Sequence, residues 1–222
     1  MSKRLVVLVG AVTAALLLTP SSWAGTEQDP EVADECDDGY LYGGGLPPLG
    51  PPPEVNVLSA WFDEIWEPGE AEGEQVLSAL RVTLRVCADL DLVPPAGQQP
   101  ELVYSFAWDN GACRQSVRLI RTGETPTRVD ARQTCTPSPV EFVTLAASDY
   151  AIQGDRLIVT LRLDGPASQV MDGLSEGRTL GAPQAASWFY IDGGADTGVG
   201  SSMEADTTAV GRSYVIGQHK PA

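Results

Sequence analysis

The chain of 222 residues carries 14 Lys and Arg against 30 Asp and Glu, a formal net charge of −16. A surface of that sign repels phosphate backbones and anionic headgroups, which excludes nucleic acid as a natural partner and disfavours membrane surfaces. With no Cys-x-x-Cys pair and one histidine, His219, a zinc site has almost no ligands to draw on.

Residues 1–24 read as a cleavable secretion signal. Ser2-Lys3-Arg4 is a short basic start, and an apolar run follows from Leu5 to Leu18. That run is too short for a membrane span, which needs roughly 20 apolar residues. Pro20 ends it, and Ser22-Trp23-Ala24 sets small residues at the −3 and −1 positions before Gly25. No second apolar run exists, so no membrane insertion is expected after cleavage. The expected location is secreted or extracytoplasmic, where an even number of cysteines forms disulfides.

Residues 25–40 are acidic, with Glu27, Asp29, Glu31, Asp34, Glu35, Asp37 and Asp38 and little apolar material. Residues 40–53 are dense in glycine and proline, which suits a flexible hinge and a polyproline spacer. The stretch 25–53 is therefore expected to be a disordered arm and linker, with nothing to bury.

From residue 54 the hydrophobic period becomes two. Leu80, Val82, Leu84 and Val86 alternate with Arg81, Thr83, Arg85 and Cys87, the pattern of a strand with one wet face. Leu102, Tyr104, Phe106 and Trp108 form a second such row, and Leu157, Val159, Leu161 and Leu163 a third. Asn110-Gly111 predicts a hairpin through a type I′ turn, returning over 113–121. Residues 122–126 turn again, and 128–135 comes back. Weaker strands are expected at 55–66, 140–145, 186–191 and 212–216, and a modest helix at 168–174. The strands around Leu84 and Val159 are expected to face each other across one core.

Pairing of 114–121 with 128–134 puts Cys113 and Cys135 opposite each other, within the roughly 7 Å that a disulfide needs between Cα atoms. Exclusion then leaves Cys36 with Cys87. The expected fold is all-β: a two-sheet antiparallel β-sandwich, jelly-roll or immunoglobulin-like, over residues 54–218, with a frayed tail at 219–222.

The residues with chemical potential are few. His219 lies too near the C-terminus to be the rigid base that a Ser-His-Asp site needs, so no enzyme is expected. The acidic, glycine-rich loop 191–200 offers Asp192 and Asp196 as oxygen ligands for Ca²⁺, with Glu204 and Asp206 soon after; no other cofactor is expected. Trp188, Tyr190 and Trp61 are the candidate aromatic platforms for a sugar.

The segment order "VNVLSAWFDE", "LRVTLRVCADLD", "YSFAWDNG", "GDRLIVTLRLDG" and "ADTTAVGRSYVIG" resembles the exported β-sandwich modules of the DOMON and carbohydrate-binding-module family 9-like group. The resemblance implies a sandwich that binds a sugar or, in some members, haem through Met and His ligands, for which this chain has Met171, Met203 and His219. Asp29-Pro30 is the nearest match to the acidic Asp-Pro element with which such modules open.

The functional expectation is a secreted, non-catalytic module that binds a carbohydrate or cell-envelope ligand, such as an extracellular glycan. The alternative is a structural or protein-interaction domain at the cell surface that binds a surface protein.

Overall fold

The structure, a computed structural model, describes residues 25–36, 56–87, 89–90, 101–121, 128–190 and 202–221; at 101, 189–190 and 202–205 only the backbone is described. Its strands are β1 Val32–Ala33, β2 Val57–Pro68, β3 Gln75–Val86, β4 Glu101–Asn110, β5 Cys113–Arg121 and β6 Arg128–Cys135. They continue as β7 Val140–Thr144, β8 Tyr150–Gln153, β9 Arg156–Arg162, β10 Thr179–Tyr190, β11 Ser202–Thr207 and β12 Tyr214–Val215. One sheet runs β1-β2-β3-β9-β8; the other runs β11-β10-β4-β5-β6-β7, with β12 also paired to β10. The two sheets pack face to face in an antiparallel β-sandwich, the expected fold class.

The period-two rows supply the core. Leu80, Val82 and Leu84 on β3 and Leu157, Val159 and Leu161 on β9 are all buried. From the other sheet come Tyr104, Phe106, Trp108, Val117, Leu119, Val129 and Ala131. Phe62 on β2 joins the two layers: its ring lies 5.0 Å from Phe106 and 5.1 Å from Trp108. The Trp108 indole N–H donates to Gln115 at 3.0 Å, and Gln115 donates on to Gln133 at 2.6 Å, so this buried polar chain is satisfied.

Val82 pairs with Val159 in the same sheet, so the Leu84 and Val159 strands share one wall instead of facing each other. The facing wall is β4–β5–β6. The β4–β5 turn also differs from expectation. Asn110 pairs with Cys113, so the loop is Gly111-Ala112, and only Gly111 takes positive φ, at 66°. A type I′ turn needs positive φ at both loop positions, so Asn-Gly does not form one here.

β10 begins seven residues before the expected Ala186. Gly181 and Pro183 conceal its first half in the sequence, and the ladder to β4 slips between Gly181 and Gln184 beside Ala182 at φ 42°. That is a β-bulge. β1, β8 and β11 were not expected; β1 has two residues and β8 four, too few to show a period. The expected helix at 168–174 is a 3-10 turn over Pro166–Gln169, followed by buried Met171 and Leu174.

Both disulfides have the expected partners, Cys36 with Cys87 and Cys113 with Cys135. The second joins residues directly opposite in the β5–β6 ladder. Two intramolecular disulfides suit an oxidising, extracytoplasmic compartment.

The disordered arm is corrected for residues 25–36; the rest of the expected linker, 37–53, lies outside the described residues. Val32 pairs with Ala60 and is buried, and the Asp34 N–H donates to Leu58 O at 2.8 Å. The acidic side chains that make the arm look soluble are partly consumed by the fold. Glu31 accepts the Phe62 N–H at 2.9 Å, and Glu27 accepts from Arg156 at 2.5 Å and Arg85 at 3.4 Å.

Leu84→Ala and Leu161→Ala are each expected to cost about 2–5 kcal/mol in denaturant unfolding. Arg162→Ala, one step along β9 and exposed, is expected to stay within about 0.5 kcal/mol. Equal losses would mean that both faces of this sheet are buried. Deleting residues 25–35, against the sequence expectation, should lower the midpoint clearly, since it removes Val32, Glu31 and Glu27 together; an unchanged midpoint would show that the arm does not dock.

Candidate functional site

β2 gathers the polar chemistry of the molecule along its length. Its middle holds both ends of the described chain. The Glu64 carboxylate accepts the Tyr214 hydroxyl at 2.7 Å and the Gly217 N–H at 2.5 Å on Oε1. Its Oε2 accepts the Trp66 indole N–H at 2.9 Å and the His219 N–H at 3.3 Å. The C-terminal segment is thereby tied to β2, and the ring of His219 lies edge-on to Tyr214 at 5.8 Å. His219 is therefore docked, where the sequence suggested fraying.

The N-terminal arm locks onto the same place. The Arg212 N–H donates to Glu31 O at 3.0 Å, and its guanidinium holds Asp29 and the carbonyl of Pro30. Gly211 passes so close to the Glu31 carbonyl oxygen that a Cβ there would collide with it, which requires glycine. Glu31 is 2% exposed, and its Oε1 has no hydrogen-bond partner among the described residues.

Burial raises the Glu31 carboxyl to about 8, against the opposing pull of the Phe62 N–H and of Arg212. Burial also raises Asp63, with Arg81 and a hydrogen bond from Trp61 pulling the other way. Tyr214 is pushed well above its ordinary value by burial, by its bond to Glu64 and by the nearby carboxylates. Three acids and a phenol thus crowd one clamp.

Beyond Trp66, β2 runs into an open groove of about 690 Å³ at the β2–β3 turn. Glu67, Glu70, Glu74 and Asp164 make it acidic, and among the described residues that line it Arg162 is the one cation. Val76, Leu77, Leu163 and Pro68 supply apolar lining. Val76 is 48% exposed, a large apolar side chain turned to solvent. Trp66 pairs across the ladder with Leu77 of the lining, and the Lys220 ammonium sits 5.0 Å above its ring.

The residues nominated from sequence do not converge on this groove. Trp61 is 5% exposed on β2, while Trp188 is half-buried on β10 of the other sheet. Tyr190 is placed by its backbone alone, opposite Glu101. Asp192 and Asp196 lie outside the described residues. Asp206, from the same acidic stretch, is buried and accepts the Val57 N–H at 2.6 Å. Of the groups considered for haem, Met171 is in the core, His219 is in the clamp, and the Met203 side chain is outside the described residues. Among the described residues, no group of three or more His, Cys, Asp or Glu side chains is placed to hold a metal ion, and no helix is long and apolar enough to cross a membrane.

The groove was missed because its residues come from a turn and two strand ends, distant in sequence. The Glu67–Glu74 run, rich in acid and broken by Pro68, Gly69 and Gly73, was the available sign. The fold and this site define a disulfide-clamped antiparallel β-sandwich with an acidic groove at one end. No protein-family model, curated protein or solved structure matches the chain.

A carboxyl near 8 in the folded chain and near 4.5 in the unfolded one binds its proton more tightly when folded. Its contribution to stability is full below about pH 4.5 and is lost as pH rises toward about 8. Asp63 acts in the same direction. The thermal midpoint is therefore expected to fall between about pH 5 and about pH 8, and Glu31→Gln should remove most of that slope. A slope unchanged in the variant would show that Glu31 is not the group responsible.

Proposed function

We propose that this chain is an exported, non-catalytic binding module that takes a carbohydrate or other cell-envelope ligand in the groove at the β2–β3 turn. The observation that carries the reading is the chemistry of that groove. Carboxylates accept hydroxyl hydrogen bonds, the Arg162 guanidinium donates them, and Val76, Leu77 and Leu163 offer an apolar surface to the C–H face of a sugar ring. About 690 Å³ is within the range of small-ligand sites. The net charge of −16 favours neutral or amino sugars over uronic acids.

Export by the segment 1–24 belongs to the same reading. It is supported by the basic start, the short apolar run and the small residues before Gly25, together with the two disulfides.

A glycan array probed with the full chain tests the proposal, followed by titration of any hit. Glu67→Gln and Asp164→Asn should each weaken the hit about tenfold, since a hydrogen bond to a charged group is worth about 1.5–3 kcal/mol. Trp188→Ala should leave it unchanged. Loss of binding in Trp188→Ala with intact binding in the groove variants would move the site to the other sheet. Silence across the array would remove the carbohydrate reading.

A further inference from the structure

The second sheet ends in β7, and nothing described covers that edge. Val140 and Phe142 are 41% and 56% exposed and share one face of the strand. In an antiparallel pair alternate residues bond to the neighbour, so β7 keeps a row of N–H and C=O groups pointing away from β6. Exposed edges are commonly blunted by shortness, lysine or proline. Among the edge strands β1 has two residues, β8 has four, and the six-residue β11 is tied to β2 through Asp206 and the Val57 N–H; β7 has five, Val-Glu-Phe-Val-Thr, with neither lysine nor proline among them.

One charge beside this edge is unanswered. Arg132 lies directly across the ladder from Phe142, and its guanidinium makes no hydrogen bond or ion pair with a described residue. Other arginines of this acidic chain do hold carboxylates: Arg85, Arg114, Arg128, Arg156, Arg162 and Arg212. The Phe142 face thus presents two apolar side chains and a half-buried guanidinium.

We propose that β7 is a docking edge for an extended acidic segment of another protein, added as one more strand. The partner's carboxylate would meet Arg132 on the Phe142 face, and its backbone would complete the ladder. A second copy of this chain fits less well. Pairing β7 with itself would bring Val140, Phe142 and Thr144 to that face and no carboxylate to Arg132, and two chains of charge −16 repel. A glycan could answer Arg132 but not the periodic row of main-chain groups. This edge lies on the other sheet from the groove and is independent of it.

The test uses the full chain and a seven-residue probe that alternates valine and threonine, with one aspartate on the valine face. A lysine version and a proline-interrupted version are the controls. The aspartate probe should bind about tenfold tighter than the lysine probe, as a charge-assisted hydrogen bond allows. That order runs against the field of the whole protein, which favours lysine. The proline probe should not bind, and the aspartate probe should slow amide exchange in β7. Arg132→Gln should erase the preference for aspartate while leaving the thermal midpoint unchanged. Equal or tighter binding of the lysine probe would overturn the proposal. So would unprotected β7 amides, or a dimer at working concentration that Phe142→Lys dissolves.

Discussion

The packing of Phe62 between the two sheets is the contact on which the rest depends. Its ring touches Phe106 and Trp108 across the core and lies 5.1 Å from Tyr214 of the C-terminal segment. Its N–H binds Glu31 of the N-terminal arm. Deleting such a ring typically costs about 3–5 kcal/mol. Among the many core residues that join the two sheets, Phe62 is the one that also touches both ends of the described chain. Glu64, two residues along the same face of β2, ties down the C-terminal segment. β2 thus determines where both terminal segments lie, and the groove opens beyond Trp66 at the end of the same strand.

The polar economy of the molecule follows from the same arrangement. A chain with 30 acids and 14 bases could carry its carboxylates outward as a solvating shell. Several are instead used inside. Glu31, Glu64 and Asp206 accept backbone N–H groups, and Asp130 accepts the Thr144 hydroxyl at 2.9 Å. Such bonds compensate desolvation when they are complete. Glu31, with one oxygen unanswered, is where compensation falls short, and burial raises its carboxyl accordingly.

Much of the sandwich was legible in the sequence, for local reasons. β5 and β6 have the bounds that their flanking turns predict, and the Cys113–Cys135 pairing follows from that hairpin register. What could not be read were partners distant along the chain. The alternation around Leu84 and Val159 identifies two strands but not that they are neighbours in one sheet. His219 reads as a frayed end because its anchor, Glu64, lies 155 residues away. Glu31 reads as solvating for the same reason: only the fold puts the Phe62 N–H beside it. The aromatics Trp61 and Trp188 were visible as residue types, yet nothing local says that they lie on different sheets.

Amide hydrogen exchange on the full chain tests most directly whether the two sheets stand or fall together through Phe62. The amides of Val82 on β3, opposite Phe62, and of Phe106 on β4 should exchange with the same free energy, equal to that of global unfolding. If the β2–β3–β9 sheet exchanges at a clearly lower free energy than β4–β5–β6, the sheets open separately, and Phe62 does not hold the molecule together.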